Sequence, residues 1–287
     1  MKLKKILATV LATVAAVATF SFASCNTANN TADKNVKVMK NILLTEEDYA
    51  FAIAKENTAL LEEVNGYLAT WTQDGSLNTL INSYFDGTAT FTYENKTATP
   101  AENDFVMATN AYFPPFEFLE GSAFKGVDVE IAYKLATAMN KTLFVYDMEF
   151  DSIISSVQNG ESDIGMAGMT VNEARLQQVN FATPYYSSAQ VITVLASDTT
   201  FDACKTAADV EAILNGKDAS YKVGTQNGTT GYMYTHGDAI FEYPGFPVTT
   251  QGYNTGALAM KDLQNGKVNA VILDLQPSLM IANSVNK

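Results

Sequence analysis

The feature that most restricts the fold is a regular alternation of strand-like and helix-like segments through the middle of the chain. An apolar run at 105–108 precedes a helix-periodic stretch at 127–139. A β-branched and aromatic run at 142–148 follows, then a second helical stretch at 153–159 and a short strand around Asp163. Strands separated by helical patterns of this length form crossover units, which give an α/β fold with a mainly parallel sheet and helices on its faces. Such sheets bind ligands beyond the carboxyl ends of their strands. The turns at Asn110 and Thr170 fall at two of those ends, so residues far apart in sequence are expected at one edge.

The pattern resumes further along. Residues 191–195 read as a β-branched strand crossing into a second domain. That domain has a helix at 207–214, a strand at 221–224, a turn into a helix at 228–232, a helix at 255–263, a strand at 268–273 and a last helix ending near Ile281. Ahead of the first domain lie short strands at 36–39 and 48–54. A helix at 60–68 follows, with Leu60, Leu61, Val64 and Leu68 on one side, closed by Asp74 and Gly75, and then a second helix at 77–85. Residues 88–103, rich in Thr and Asn, read as a surface connection anchored by Phe91 and Tyr93.

Composition narrows the chemistry. Lys2, Lys4 and Lys5 precede an apolar run to Phe22 and a Phe-Ala-Ser-Cys sequence ending at Cys25, which is the pattern of a secretory signal. The small residues before Cys25 and the polar stretch after it resemble a bacterial lipoprotein processing site, so Cys25 is the expected lipid attachment point. The protein is then extracytoplasmic and anchored to the cell membrane. Cys204 is the other of the two cysteines, so disulfides are not expected to hold the fold. A formal charge of −13 argues against nucleic acid as a partner. With His236 as the one histidine, no metal site, cofactor or histidine-based catalytic triad is expected.

The sequence Gly-Met-Thr-Val-Asn-Glu-Ala-Arg at 168–175 places backbone donors, a hydroxyl and an arginine at a strand-to-helix turn. Thr170 is read as a helix N-cap with Glu173 completing a capping box. Free N–H groups there and the two-pronged guanidinium of Arg175 suit a small carboxylate. A capped surface helix with a solvated arginine would show the same local pattern. Convergence with the Asn110 turn favours a site.

Several blocks together resemble the solute-binding proteins of ABC importers for polar amino acids. They are Thr-Asn-Ala-Tyr-Phe-Pro-Pro-Phe-Glu-Phe at 109–118, Gly-Val-Asp-Val-Glu-Ile at 126–131, the 168–175 block, and Phe-Ala-Thr-Pro-Tyr-Tyr at 181–186. The resemblance implies a type II, two-lobe periplasmic-binding-protein fold that is not an enzyme, expected as a monomer. An amino acid would close the lobes, and the loaded form would be delivered to permease subunits.

The order of parts departs from that family. Its closing elements resemble 42–85 here, including Tyr-Ala-Phe-Ala-Ile-Ala at 49–54, Val64-Asn65, Asp74-Gly75 and Tyr84-Phe85. A circular permutation is therefore expected. Residues 1–24 would be the signal and 25–35 the tether. Lobe 1 would span 46–192, with 46–87 as the moved segment and 88–103 as the joining linker, and 36–44 plus 196–287 would form lobe 2.

By the same resemblance, Arg175 would hold the ligand α-carboxylate with the backbone N–H groups of Thr170 and Thr230. Asp274, the Gly168 carbonyl and the Thr170 hydroxyl would take the α-ammonium. Phe113 and Phe150 would sandwich the aliphatic part, and Asn110 and Gln226 would read the side chain. Relatives for cationic ligands often carry Asp at the Asn110 position, so a neutral, glutamine-like ligand is expected. Arginine or lysine is the alternative, and Glu117 or Glu120 turned inward would favour it. Exported cyclohexadienyl or arogenate dehydratases share the fold and offer an enzymatic alternative, and sensor domains use it too.

Overall fold

The computed structural model describes residues 34–287; the expected signal, the expected lipid attachment at Cys25 and most of the expected tether lie outside them. In chain order, β1 (Val36–Val38), β2 (Glu47–Tyr49) and β3 (Ala52–Ala54) precede α1 (Thr58–Gln73) and α2 (Ser76–Phe85). Then come β4 (Asp104–Thr109), β5 (Tyr112–Phe113), β6 (Glu117–Glu120), β7 (Ala123–Lys125), α3 (Val127–Ala138), β8 (Thr142–Asp147), α4 (Ile153–Gln158) and β9 (Ile164–Gly165). After α5 (Glu173–Leu176) follow β10 (Val179–Phe181), β11 (Tyr186–Ser188) and β12 (Gln190–Leu195). The remainder is α6 (Ala207–Asn215), β13 (Lys222–Gln226), α7 (Thr230–His236), β14 (Thr249–Tyr253), α8 (Gly256–Gln264), β15 (Ala270–Asp274) and α9 (Leu275–Val285).

Two five-stranded sheets result, ordered β10-β3-β9-β4-β8 and β1-β12-β15-β13-β14. In each, four strands run one way and one, β3 or β12, runs against its two neighbours. The mainly parallel α/β fold expected from the alternation is therefore present twice. The reversed strand is the one that enters each sheet from the link between the lobes. β12 and β15 are buried almost throughout, as strands covered on both faces must be, and their Val and Ile residues suit that setting.

The link is a separate two-stranded ribbon in which β2 and β11 pair antiparallel, Tyr49 opposite Tyr186 and Glu47 opposite Ser188. The second crossing therefore lies at 186–188 rather than at 191–195. Gln190, already opposite Asp274, belongs to the second sheet. The expected strand at 48–54 is split in two, because Phe51 accepts from the Ala182 N–H and Ala50 donates to the Met169 carbonyl between the two pairings.

The segment ahead of β4 has no separate core. Val64, Leu68, Leu77, Leu80, Ile81 and Tyr84 of α1 and α2 pack with Phe105, Phe116, Leu135 and Ile164 in one cluster. Tyr93 anchors the 88–103 connection as expected, bridging Phe124 and bonding to the Leu143 carbonyl. The hairpins of β5, β6 and β7, and strand β14, went unread in the sequence. Among the described residues, no helix is long and apolar enough to cross a membrane.

Candidate functional site

A small cavity of about 10 Å³ lies between the two sheets, lined by all nine residues expected at the ligand site together with Glu117, Ala167 and Thr229. Each occupies or follows the carboxyl end of a strand or lies in the hairpin beside it. Asn110 follows β4, Phe150 follows β8, and Gly168, Thr170 and Arg175 follow β9. From the other sheet come Gln226 at the end of β13, Thr229 and Thr230 at the start of α7, and Asp274 at the end of β15.

The lobes are closed on one another. Arg175 Nη2 donates to the Gly228 carbonyl at 2.9 Å, Gln226 Nε2 to Asn110 Oδ1 at 3.0 Å, and Thr230 Oγ1 to Thr170 Oγ1 at 3.2 Å. At the rim, Asn254 Nδ2 donates to Glu149 Oε1 at 3.1 Å.

Arg175 is 5% exposed. Its Nη1 donates to the Thr170 carbonyl at 2.7 Å, and its guanidinium carbon lies 5.3 Å from the centre of the Phe150 ring. Phe150 thus supports the cation as well as lining the cavity. No carboxylate of the described residues is within ion-pair distance of Arg175. Burial lowers its pKa to about 10, opposed by the charges of Glu47 and Asp274. A buried guanidinium with donors to spare and no bonded anion is suited to receive a carboxylate.

The local structure around it corrects one expectation. Thr170 is not the N-cap: the Val171 N–H donates to the Asp48 carbonyl and Thr170 bridges Tyr49, which keeps the chain extended. The helix is the single turn α5, capped by Asn172, whose Oδ1 accepts from the Arg175 N–H at 2.8 Å. Asn172→Ala should cost about 1 kcal/mol of stability by denaturant unfolding. Gly168 adopts a φ of +52°, and a Cβ there would meet Phe113 Cε1 at 2.7 Å, so the ring and the turn require glycine.

Asn110 Nδ2 donates to the Met148 carbonyl at 2.8 Å, which orients the amide and fixes Gln226 with its Nε2 toward Asn110. Gln226 Oε1 is then left buried without a partner, and so are both carboxylate oxygens of Glu117. Glu117 is 0% exposed. Its pKa is raised well above the ordinary range, first by burial and then by the nearby charges of Asp128, Asp274 and Asp147. Asp274, 4% exposed, accepts from the Tyr49 hydroxyl. Its pKa is raised to about 7, again by burial first and by Glu47 second. The lining thus carries two carboxyl groups and one guanidinium.

Residues 105–222 match the model of the bacterial extracellular solute-binding proteins, family 3. Over these residues the chain is similar to that family. A putative ABC transporter arginine-binding protein 2 of Escherichia coli (strain K12) is 34% identical over 179 residues, covering 62% of this chain and 65% of that relative. The chain therefore spans slightly under two thirds of that relative's length. A solved ancestral arginine-binding protein bound to arginine aligns with TM-score 0.55 and 28% identity, over 64% of this chain and 75% of that one. An ancestral arginine-binding protein bound to glutamine aligns at TM-score 0.53 and 27% identity, with the same two coverages.

The sequence had named Glu117 only as a residue able to change the ligand preference. Its alternation with Phe116 and Phe118 left its direction open until β6 was paired with β5 and β7. Thr229 and Ala167 were not anticipated as lining residues. Thr229 caps the start of α7 through backbone geometry, its hydroxyl donating to the Gln226 carbonyl at 2.8 Å. Among the described residues no cluster of potential ligands for a metal ion is present.

Proposed function

We propose that this protein is a family 3 solute-binding protein, the extracytoplasmic amino-acid-binding component of an ABC importer, and that its ligand is a basic L-amino acid of the arginine type. The observation that carries the ligand class is the set of three buried, unpartnered atoms in the cavity, Glu117 Oε1 and Oε2 and Gln226 Oε1, all of them acceptors. A neutral zwitterion would use Arg175 for its carboxylate and Asp274 for its ammonium and leave Glu117 protonated and without a partner. A guanidinium or ammonium side chain supplies donors for all three acceptors and balances the second carboxyl group. The neutral Asn110, which pointed to a glutamine-like ligand, reads the side chain together with Glu117 rather than alone. The arginine-binding relatives support the same class.

The proposal includes the remaining expectations: Arg175 on the α-carboxylate, Asp274 on the α-ammonium, Phe113 and Phe150 against the aliphatic stem, permease subunits as partners and a lipid on Cys25. It also includes the circular permutation. Support comes from β1 pairing with β12 in one sheet and β3 with β9 and β10 in the other, with α1 and α2 sharing the core of 105–185. An alignment that keeps chain order would leave such a segment out, in keeping with the 64% coverage of this chain.

A thermal-shift panel of the 20 amino acids tests the ligand class, since a ligand that binds only the folded state raises its Tm with concentration. L-Arginine, L-lysine or L-histidine should give the largest shift. Stabilisation by L-glutamine with none by the basic set would refute the basic ligand, and no shift with any amino acid would refute the function.

A further inference from the structure

The crossing strand β2 does more than join the lobes. Its alternate residues Glu47 and Tyr49 are buried, 5% and 0% exposed, and both point to the floor of the cleft, as residues two apart on a strand do. Neither lines the cavity, yet each holds a residue that does, one from each lobe.

Glu47 Oε2 accepts from Thr170 Oγ1 at 2.6 Å. Its Oε1 accepts from Thr45 Oγ1 at 2.6 Å and from Gln190 Nε2 at 2.9 Å. Three donors converge on a group that, when ionised, has only lone pairs to offer. The Thr170 hydroxyl proton is therefore directed at Glu47, and Thr170 Oγ1 faces the cavity as an acceptor. In this closed arrangement it receives Thr230 Oγ1 at 3.2 Å, with a second lone pair remaining. Two residues along, the Tyr49 hydroxyl donates to Asp274 Oδ1, which fixes the carboxylate.

We infer that Glu47 and Tyr49 are positioning residues for the α-ammonium of the ligand: Glu47 orients the Thr170 hydroxyl as an acceptor, and Tyr49 orients the Asp274 carboxylate, both from the strand that forms the hinge. The inference rests on the amino-acid reading of the cavity. Recognition of the ammonium then depends on the relative placement of the lobes, because β2 reaches Thr170 in one and Asp274 and Gln190 in the other. Closure and ammonium capture become a single event.

The assignment separates from a merely structural role through a ligand that lacks the ammonium. Calorimetry would compare L-arginine with 5-guanidinopentanoate, which keeps the carboxylate, stem and guanidinium. Glu47→Gln keeps the shape but offers an amide N–H where a hydroxyl donor must be received. The preference of the protein for L-arginine over the analogue should fall about tenfold. Tyr49→Phe, a variant that removes one oxygen, should lower the same ratio and add a second signature. The Tyr49 hydrogen bond lowers the Asp274 pKa, so without it the loss of L-arginine affinity on acidification should begin at higher pH. Variants that weaken both ligands equally, or that leave the ratio and the pH profile unchanged, would overturn the assignment while the cavity reading stands. Wild-type protein that binds none of L-arginine, L-lysine and L-histidine would overturn the reading and the assignment together.

Discussion

Glu117→Gln is expected to weaken binding of L-arginine more than a hundredfold while the free protein stays as stable as the wild type or becomes more so. The two halves of that expectation have one cause. In the free protein the Glu117 carboxyl group is fully buried and faced by Asp128, Asp274 and Asp147. Keeping an ionised group there is costly, and burying a neutral amide of the same shape costs less. In the complex the same carboxylate would pair with the side-chain cation of the ligand inside a closed cavity. Removing one member of a buried ion pair costs about 3 kcal/mol or more, which is more than two orders of magnitude in affinity. Binding of L-glutamine, which brings no side-chain charge, should change by much less, so the preference between the two ligands should narrow or reverse. Calorimetry with both ligands and a denaturant curve of the free protein measure all three quantities. An unchanged L-arginine affinity would show that Glu117 does not face the ligand cation.

Much of this site was legible in the sequence because its backbone residues are constrained locally. The Gly-Met-Thr turn at 168–170 and Arg175 form a compact block, and the strand ends that carry Asn110, Gln226 and Asp274 follow from the alternation of elements. What the sequence could not supply was direction. Whether Glu117 points inward depends on the pairing of β6 with two short neighbours, and short strands leave little period to read. The cap of α5 was misplaced from Asn172 to Thr170 because both residues are good caps. Only the ladder bond from the Val171 N–H to the Asp48 carbonyl decides between them, and that bond joins segments remote in sequence. The hinge was displaced for a similar reason. The apolar run at 191–195 is the more strand-like, but it lies inside the second sheet between β1 and β15, while the crossing at 186–188 is short and partly exposed.

Affinity for a basic amino acid should fall roughly fiftyfold between pH 7 and pH 5, while the free protein gains stability over the same interval from the same carboxyl groups. Asp274 has its folded pKa raised from 3.8 to about 7 by burial and by Glu47, and Glu117 is raised well above its usual range, by burial first. A raised carboxylic pKa means that the folded form binds protons more readily than the unfolded chain. Its contribution to folding stability is therefore most favourable at low pH and is lost as the pH rises from the unfolded value toward the folded one. Binding has the opposite slope, because a cationic ligand needs the carboxylates ionised and the proton must leave first. At pH 5 a group titrating near 7 is ionised in about one molecule in a hundred, against half at pH 7, and the ratio gives the fiftyfold figure from Asp274 alone. Glu117 adds to it in the same direction. Arg175, lowered only to about 10, and the hydroxyls of Tyr49 and Tyr185, both raised well above 10.0, keep their protons across this interval. Asp128, raised to about 7 behind Glu117, reinforces the effect as it ionises only by adding negative charge beside the ligand cation. Calorimetry at pH 5, 6 and 7 in buffers of different ionisation enthalpy would register both the loss of affinity and the protons released on binding. A pH-independent affinity without proton release would mean that neither carboxyl group changes its charge when the ligand enters.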